Sequence, residues 1–435
     1  MRDDSLLTQC NIKEKEMSQT SIIGAYNTKF GTFAKKNRET GEITDTKSFY
    51  ELIKEAGLGA VNDAGLDTTD IDAIWIGACS PSLFVNQEHV GPLGVEVCPE
   101  DFRFLPSTRV EGACASSSVA LYNALYGTES GRYKRVLVIG AEKMSLLNTK
   151  GVTHALACSS YWPEEGGMGM TFPGLFAEYA KGYKAKYDIS DTELADMLAH
   201  VSALMYRNAY ENPLAHFGKG AVPEKLGLFS AEAVSGLPEE KNPMIAEPLR
   251  LHDCSLITDG AAAVVLSADG AIASSNEKRV RIAGIGHTTE RLPISQRPNM
   301  YELMAAKEAA SQAYTEAGIT ADDLDLAEVH DCFTINQLLC TEALGLSADG
   351  KSGYEYRDGR FGADDRCGVN LSGGLKAKGH PVGATGVSMH ALLYKQLTGE
   401  PIGLAPSGKS PETAAVLNVG GSAVTNCVTV LRRED

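Results

Sequence analysis

The chain contains an internal repeat, and this repeat limits the folds open to it more than any other feature of the sequence. A helical pattern leads to Ala-Gly-Leu-Asp-Thr-Thr-Asp-Ile-Asp at 64–72 and then to an apolar strand at 73–76. The same succession recurs 253 residues later, with Ala-Gly-Ile-Thr-Ala-Asp-Asp-Leu-Asp at 317–325 and a strand at 326–329. Each copy reads as a helix that ends at glycine, a capped turn and a buried strand. The sequence therefore predicts a duplicated fold.

The elements that follow each copy come in the same order, which extends the repeat over both halves. In each half a loop of small residues and a helix precede a further apolar strand, at 135–140 in the first half and at 414–419 in the second. Strands that alternate with helices predict the α/β class, with two βαβαβ-type halves and mostly parallel sheets. The loops at the strand ends of both halves are expected to converge on one cleft.

The domain boundaries follow from where the pattern breaks. We expect an N-terminal half at 18–275 and a C-terminal half at 276–435, because 435 residues suit two similar cores. Residues at about 145–250 interrupt the first half, and we interpret them as an inserted loop domain that covers one side of the cleft. The charged stretch at 1–17 is expected to be a dispensable extension, not a signal peptide.

Charge and cysteine usage exclude several classes of function. The formal net charge is −16, whereas nucleic acids and anionic membranes require clustered Lys and Arg, so neither is expected as a partner. No apolar run approaches the length of a membrane span. The ten cysteines lack Cys-x-x-Cys spacing, so we predict no metal site and a reducing compartment. The C-terminus is unlike a peroxisomal signal, which makes the cytoplasm the default location.

Two loops near opposite ends of the chain predict a cysteine nucleophile and its histidine base. Cys114 lies in the run Val-Glu-Gly-Ala-Cys-Ala-Ser-Ser-Ser, directly before a helical pattern, where backbone N–H groups and the helix dipole favour a thiolate. His380 lies in Gly-Gly-Leu-Lys-Ala-Lys-Gly-His-Pro and is likewise followed by a helical pattern. A thiolate exchanges thioesters well, because the attacking and leaving sulfurs have similar basicity.

Four loops together make the chain resemble the thiolase family. They are Cys-Ala-Ser at 114–116, His-Asp-Cys-Phe at 330–333, Gly-His-Pro at 379–381 and Asn-Val-Gly-Gly-Ser at 418–422. Within that family the chain is most similar to the sterol-carrier-protein type and to its bacterial and archaeal acetyl-CoA acetyltransferase relatives. The resemblance implies a duplicated, five-layered αβαβα fold.

The resemblance also implies catalytic roles. Cys114 would be acylated from an acyl-CoA, and His380 would take the proton of its thiol. Most thiolases use a second cysteine in the last loop for proton transfer, but this chain has Asn418 there, and an amide cannot transfer protons at neutral pH. The sterol-carrier-protein group has a cysteine in the His-Asp-Cys-Phe loop, so the acid/base role is assigned to Cys332 by resemblance.

Two oxyanion holes and a coenzyme A contact follow by resemblance as well. The His330 and His380 side chains would bind the enolate oxygen, since an enolate needs donors aimed at it. The backbone N–H groups of Cys114 and Gly420 would bind the tetrahedral intermediate. Ser255 would lie beside the pantetheine arm of coenzyme A.

The predicted function is transfer of an acyl group from acyl-CoA to acetyl-CoA, by Claisen condensation or its reverse, thiolysis of a 3-ketoacyl-CoA. Coenzyme A and acyl-CoA are substrates, and no cofactor is expected. Arg207, Lys219 and Arg250 are alternative partners for the coenzyme A phosphates. Two other functions stay open: a ketoacyl-synthase-type condensing enzyme, and a thiolase-like subunit that binds acyl-CoA or lipid within a complex. The family implies a homodimer or homotetramer.

Overall fold

The computed structural model describes residues 20–37, 39–268 and 278–434. The predicted extension at 1–17 and the predicted boundary between 275 and 276 lie outside these residues. Within the described ranges, no helix combines the length and the apolarity that crossing a bilayer requires.

The backbone is organised around two five-stranded sheets that join edge to edge, so that ten strands follow one another without a break. Four further strands of the described chain form two separate pairs, β2 with β3 and β7 with β8. In chain order the strands are β1 Ser21–Asn27, β2 Ala34–Lys36, β3 Ile43–Asp45, β4 Ala73–Gly77, β5 Ser107–Val110, β6 Arg135–Glu142, β7 Met244–Ala246, β8 Leu249–Arg250, β9 Gly260–Ser267, β10 Arg279–Thr289, β11 Leu326–Val329, β12 Gly368–Val369, β13 Thr413–Gly420 and β14 Thr425–Glu434. The first sheet has the order β1-β9-β6-β4-β5, and the second has the order β10-β14-β13-β11-β12. The two orders correspond strand for strand, which confirms the duplication.

The expectation of mostly parallel sheets is wrong. In the first sheet β4 pairs in parallel with β5 and with β6, and in the second β11 pairs in parallel with β12 and with β13. The other two pairings of each sheet are antiparallel. The physical reason is the length of the connections. Only four residues separate Gly420, the last residue of β13, from Thr425, the first of β14, and so short a turn can join only antiparallel strands.

Helices form three layers, outside and between the two sheets. They are α1 Phe49–Asp63, α2 Pro81–Val85, α3 Pro99–Phe102, α4 Ser116–Glu129, α5 Thr149–Ala157, α6 Phe172–Tyr187, α7 Asp191–Glu211, α8 Val222–Leu226, α9 Ala231–Ser235, α10 Met304–Ala317, α11 Thr334–Ala343, α12 Ser352–Arg357 and α13 Thr385–Leu397. Helix α1 packs on the first sheet and α10 on the second. Helices α4 and α13 lie between the sheets, where the Tyr122 hydroxyl of α4 donates to the Val428 carbonyl of β14 and the Tyr394 hydroxyl of α13 donates to the Ile23 carbonyl of β1. These layers confirm the five-layered αβαβα arrangement.

The segment between β6 and β9 carries α5 to α9 and the short hairpin of β7 and β8. Its longest helix, α7, begins at a capping box in which Ser190 and Glu193 satisfy each other's backbone N–H groups. Helix α7 packs against α11, α12 and a short π-helix at Gly374–Lys378. The segment therefore lies over the loops of the second half.

The register of the parallel strands brings the functional loops together. Gly77 of β4 is level with Val110 of β5 and with Gly140 of β6, so these strands end at one edge. In the second sheet Val329, the last residue of β11, is level with Leu417 of β13. The loops that follow β5, β11 and β12 carry three of the motifs, and the fourth spans the carboxyl end of β13 and the turn after it.

Candidate active site

Cys114 is presented at the entrance of α4 by an unusual backbone turn. Ala113, directly before it, has φ of +51°, which L residues rarely adopt and which costs about 1 kcal/mol. The Ser116 hydroxyl accepts from the Gly112 N–H and donates to the Ala113 carbonyl, at 3.0 and 2.6 Å. These contacts fix the thiol just ahead of the helix.

Cys114 and the two motif histidines form one cluster. The sulfur of Cys114, one nitrogen of His330 and one nitrogen of His380 all lie within 4.8 Å of one another. The two imidazole rings meet edge to face, with centroids 5.1 Å apart. The structure thus brings together residues that are 216 and 266 positions apart in the chain.

Burial keeps this cluster neutral. It raises the pKa of Cys114 to about 12, although a backbone N–H of Gly421 donates to the sulfur. Burial, helped by the nearby Lys378 ammonium, lowers the pKa of His380 to about 3, and burial lowers that of His330 well below its usual value. Burial thus opposes the resting thiolate that the helix entrance was expected to favour.

Asn418 lies inside the cluster. Its amide nitrogen is 2.9 Å from Nδ1 of His330 and 3.3 Å from the Cys114 carbonyl, and its amide oxygen accepts from the Ser118 hydroxyl at 2.8 Å. All four groups are buried. Gly386 makes room for this contact, since a Cβ there would stand 2.2 Å from the Ser118 oxygen.

Cys332 is buried beside the same cluster. Loss of water, with the neighbouring thiols of Cys114 and Cys340, raises its pKa well above the usual value, while the Phe333 N–H donates to its sulfur. Its backbone carbonyl accepts from the Ser255 N–H at 2.9 Å. The half-buried Ser255 is therefore held next to the His-Asp-Cys-Phe loop.

A buried carboxylate ties the His330 loop to the His380 loop. Asp331 accepts from the backbone N–H groups of Leu375 and Lys376, at 2.6 and 3.2 Å, within the π-helix that ends two residues before His380. Burial raises the pKa of Asp331 to about 7 in spite of these donors. The contact therefore sets the distance between the loops that carry His330 and His380. A π-helix is rare and often occurs at a functional site.

A second buried carboxylate ties the His380 loop to the first half. Glu142, the last residue of β6, accepts from the backbone N–H groups of Cys79 and Gly383, at 2.7 and 3.1 Å. Burial raises its pKa to about 7. Gly383 is only three residues after His380, so Glu142 holds that histidine against the half that carries Cys114.

The last motif reaches Cys114 through its backbone. Gly420 packs directly on the nucleophile loop, since a Cβ at this position would lie 2.2 Å from the Gly112 carbonyl. The neighbouring Gly421 supplies the N–H that donates to the Cys114 sulfur. A bulkier residue at 420 would separate the two loops.

A cavity of about 360 Å³ opens beside these two loops. Its walls combine polar and apolar groups in about equal measure; they are formed by Cys79, Ser80, Glu111, Gly112, Ala113, Cys158, Ser159, Ser160, Leu292, Gly420, Gly421, Val424 and Thr425. Cys79 is the repeat-related counterpart of Cys332, and its sulfur lies 3.6 Å from the hydroxyls of both Ser80 and Ser159.

The three cations suggested for coenzyme A are already engaged to different extents. Arg250 pairs with Glu239 at 2.6 Å, and Arg207 donates to a backbone carbonyl at 2.6 Å. Lys219 is exposed, at 3.8 Å from its carboxylate partner. The structure does not bring these side chains to the cluster around Cys114.

Comparison with known proteins places this geometry in a family. Residues 20–270 match the model "Thiolase, N-terminal domain", and residues 286–433 match "Thiolase C-terminal domain-like". The chain belongs to the thiolase family. The predicted resemblance, the duplicated fold and the predicted class of activity, that of a thiolase acyltransferase, are confirmed.

Individual relatives agree with this family. An acetyl-CoA acetyltransferase of Methanothermobacter thermautotrophicus is 36% identical and covers 96% of this chain and 100% of its own. The benzoylsuccinyl-CoA thiolase subunit BbsB of Thauera aromatica is 30% identical over 86% of this chain and 88% of its own. Among solved structures, the Ltp2-ChsH2(DUF35) aldolase has a TM-score of 0.75 at 19% identity, covering 96% of this chain and 98% of that one. The acetyl-CoA acetyltransferase of Syntrophomonas wolfei has a TM-score of 0.64 at 20% identity, covering 96% and 100%.

Sequence reasoning missed three residues of the site. Asn418 carries no predicted role, because an amide cannot transfer protons, and Glu142 and Asp331 are not recognised as ties between loops. Asn418 occupies a position where most thiolases carry a reactive residue, which is a usable signal. The carboxylates give none, because an acidic residue at a strand end is most often exposed.

Proposed function

We propose that this thiolase transfers an acetyl or other short acyl group between coenzyme A thioesters through Cys114, with His380 as base and Cys332 as acid/base. The single observation that carries the proposal is the buried cluster in which the Cys114 sulfur lies within 4.8 Å of a nitrogen of each histidine. Coenzyme A and acyl-CoA are its substrates, without a bound cofactor.

In the first half-reaction the neutral His380 takes the proton of Cys114 as the sulfur attacks the thioester carbonyl. A preformed ion pair is unnecessary, because the proton moves as the new bond forms. The backbone N–H groups of Cys114 and Gly420 bind the oxyanion. The coenzyme A thiolate leaves with the proton of Cys332, which leaves a Cys332 thiolate and a protonated His380.

In the second half-reaction the Cys332 thiolate removes the α-proton of acetyl-CoA. Its high pKa makes it a strong base once it has lost its proton. The enolate oxygen accepts hydrogen bonds from His330 and from the protonated His380. The enolate carbon attacks the acyl group, the Cys114 thiolate leaves, and His380 returns its proton.

Two relatives named acetyl-CoA acetyltransferase support a short acyl group as the one transferred. The cavity beside the Cys114 and Gly420 loops is lined by polar and apolar groups in about equal measure. Each methylene gains about 0.8 kcal/mol only when it moves from water to apolar surroundings, so these walls do not select for a long alkyl chain.

The experiment that tests this function is intact-protein mass after incubation with acetyl-CoA or acetoacetyl-CoA, in the wild type and in Cys114→Ala. We expect an acetyl adduct that requires Cys114 and that free coenzyme A removes. If no adduct forms with acyl-CoAs of two to eight carbons, the proposal is wrong for the isolated chain.

The assembly and its location are also proposals. We propose a homodimer or homotetramer with a possible further partner subunit, since one relative is named as a thiolase subunit and one structural neighbour is a two-protein aldolase. We propose the cytoplasm, supported by the nine cysteines of the described chain, which are all free thiols.

A further inference from the structure

The hydrogen bonds around Asn418 determine which way its amide points. The Cys114 carbonyl can only accept, so the amide atom that faces it at 3.3 Å must be the nitrogen. The amide oxygen then faces the Ser118 hydroxyl, which donates to it at 2.8 Å. Both contacts agree on one orientation.

This orientation determines the tautomer of His330. The same amide nitrogen lies 2.9 Å from Nδ1 of His330, and an NH₂ group can only donate. Nδ1 must therefore accept, and the proton of the neutral ring must be on Nε2. Among the described residues, no hydrogen-bond partner lies at the buried Nε2, so this N–H is left for a ligand.

His380 is held in the opposite tautomer. Its Nδ1 lies 2.7 Å from the Thr385 hydroxyl, whose single proton is donated to the Pro381 carbonyl at 3.0 Å. The hydroxyl must accept from Nδ1, so the proton of His380 is on Nδ1 and Nε2 has a free electron pair. One histidine of the pair is thus a ready donor and the other a ready base.

We propose that Asn418 is a positioning residue that keeps the proton of His330 on Nε2, so that His330 enters each catalytic cycle as a permanent donor to the enolate oxygen. Thr385 has the complementary role of leaving Nε2 of His380 free to take the proton of Cys114. What these groups do in turnover depends on the proposed function, but the tautomers themselves do not.

The tautomers can be measured without turnover. In protein labelled with ¹⁵N-histidine, we expect His330 to carry its proton on Nε2 and His380 on Nδ1 near neutral pH. Signals are assigned from their loss in His330→Gln and His380→Gln. A proton on Nδ1 of His330 would overturn the proposal whether or not the protein transfers acyl groups.

The substitution Asn418→Asp tests the consequence. A carboxylate of the same shape can only accept, so it requires a proton on Nδ1 of His330. At low pH the new carboxylate and His330 together hold one extra proton, and Nε2 still donates. As pH rises that proton is lost, and Nε2 of His330 then carries no proton to donate. The titratable neighbours of the His330 ring are His380 and Cys114, and the Cys340 thiol donates to the His330 backbone carbonyl; none of these residues is substituted in this variant.

The readout separates the two half-reactions. We expect α-proton exchange of acetyl-CoA in deuterated water to fall on the order of 10²-fold at high pH in Asn418→Asp, the usual cost of losing one oxyanion donor. Acylation of Cys114, which depends on His380, should keep the wild-type pH profile. Asn27→Asp, at another buried asparagine whose amide donates to a backbone carbonyl, is the matched control and should show no such loss.

Each outcome is decisive. Equal slowing of both half-reactions in Asn418→Asp, or a rate of α-proton exchange that does not fall as pH rises in this variant, would overturn the role of Asn418. Absence of an acyl adduct in the wild type would instead refute the proposed function and leave the tautomer result intact.

Discussion

The neutral state of the cluster predicts how Cys114 reacts with iodoacetamide. With a pKa of about 12, only about one Cys114 thiol in 10⁵ is ionised at pH 7. An ordinary thiol with a pKa near 8.5 has about 3,000-fold more thiolate at that pH. The more basic thiolate is more nucleophilic by about 40-fold over this difference, so Cys114 should react about 100-fold more slowly than an ordinary thiol.

The assay is the rate of carboxamidomethylation of Cys114 between pH 6 and 10, followed by peptide mass, with the exposed Cys158 as an internal reference. We expect the Cys114 rate to rise about tenfold per pH unit throughout, since ionisation limits it over this whole range. A plateau below pH 7, or labelling of Cys114 ahead of Cys158 at pH 6, would show a resting ion pair with His380. Either result would refute the reasoning that burial outweighs the helix entrance.

Three further predictions address other parts of the site. Cys332→Ala should still be acylated at Cys114, because a coenzyme A thiolate can leave without a proton, but it should lose at least about 10²-fold in condensation, as expected for loss of an acid/base group, measured by mass and by acetoacetyl-CoA formation. Glu142→Ala should slow acylation at least tenfold because the His380 loop loses its tie, whereas Glu342→Ala, which removes a buried carboxylate that accepts from the Tyr183 and Ser352 hydroxyls, should reduce thermal stability without that loss. Glu142→Gln should make urea unfolding less dependent on pH: the pKa of Glu142 is raised to about 7, so its stabilising effect is complete below pH 4.5 and is lost as pH rises through 7, by at most about 3 kcal/mol.

The fold could be predicted to the extent that it is periodic. The repeat at 64–72 and 317–325 places one helix and the strand that follows it correctly in each half, because each copy has its own glycine stop and apolar strand. The direction of the strands was not predictable from periodicity, since apolar runs look alike in parallel and antiparallel sheets. It depends on the length of connections such as the turn between Gly420 and Thr425.

The site shows the same division. Cys114, His330 and His380 lie in short motifs, and the structure brings them together. Their protonation could not be predicted, because it depends on burial by segments far away in the chain. The contact of Asn418 with His330 joins two loops that are 88 residues apart, and no local pattern indicates it.

The central layer of helices also determines how a substrate can enter. Helices α4 and α13 each bond to the sheet of the opposite half, through Tyr122 and Tyr394. Opening the molecule like a hinge between its halves would break both bonds and expose two buried helices. We therefore expect the halves to move as one rigid body, so that a substrate reaches Cys114 without their separation. Crosslinks between the halves should leave turnover unchanged.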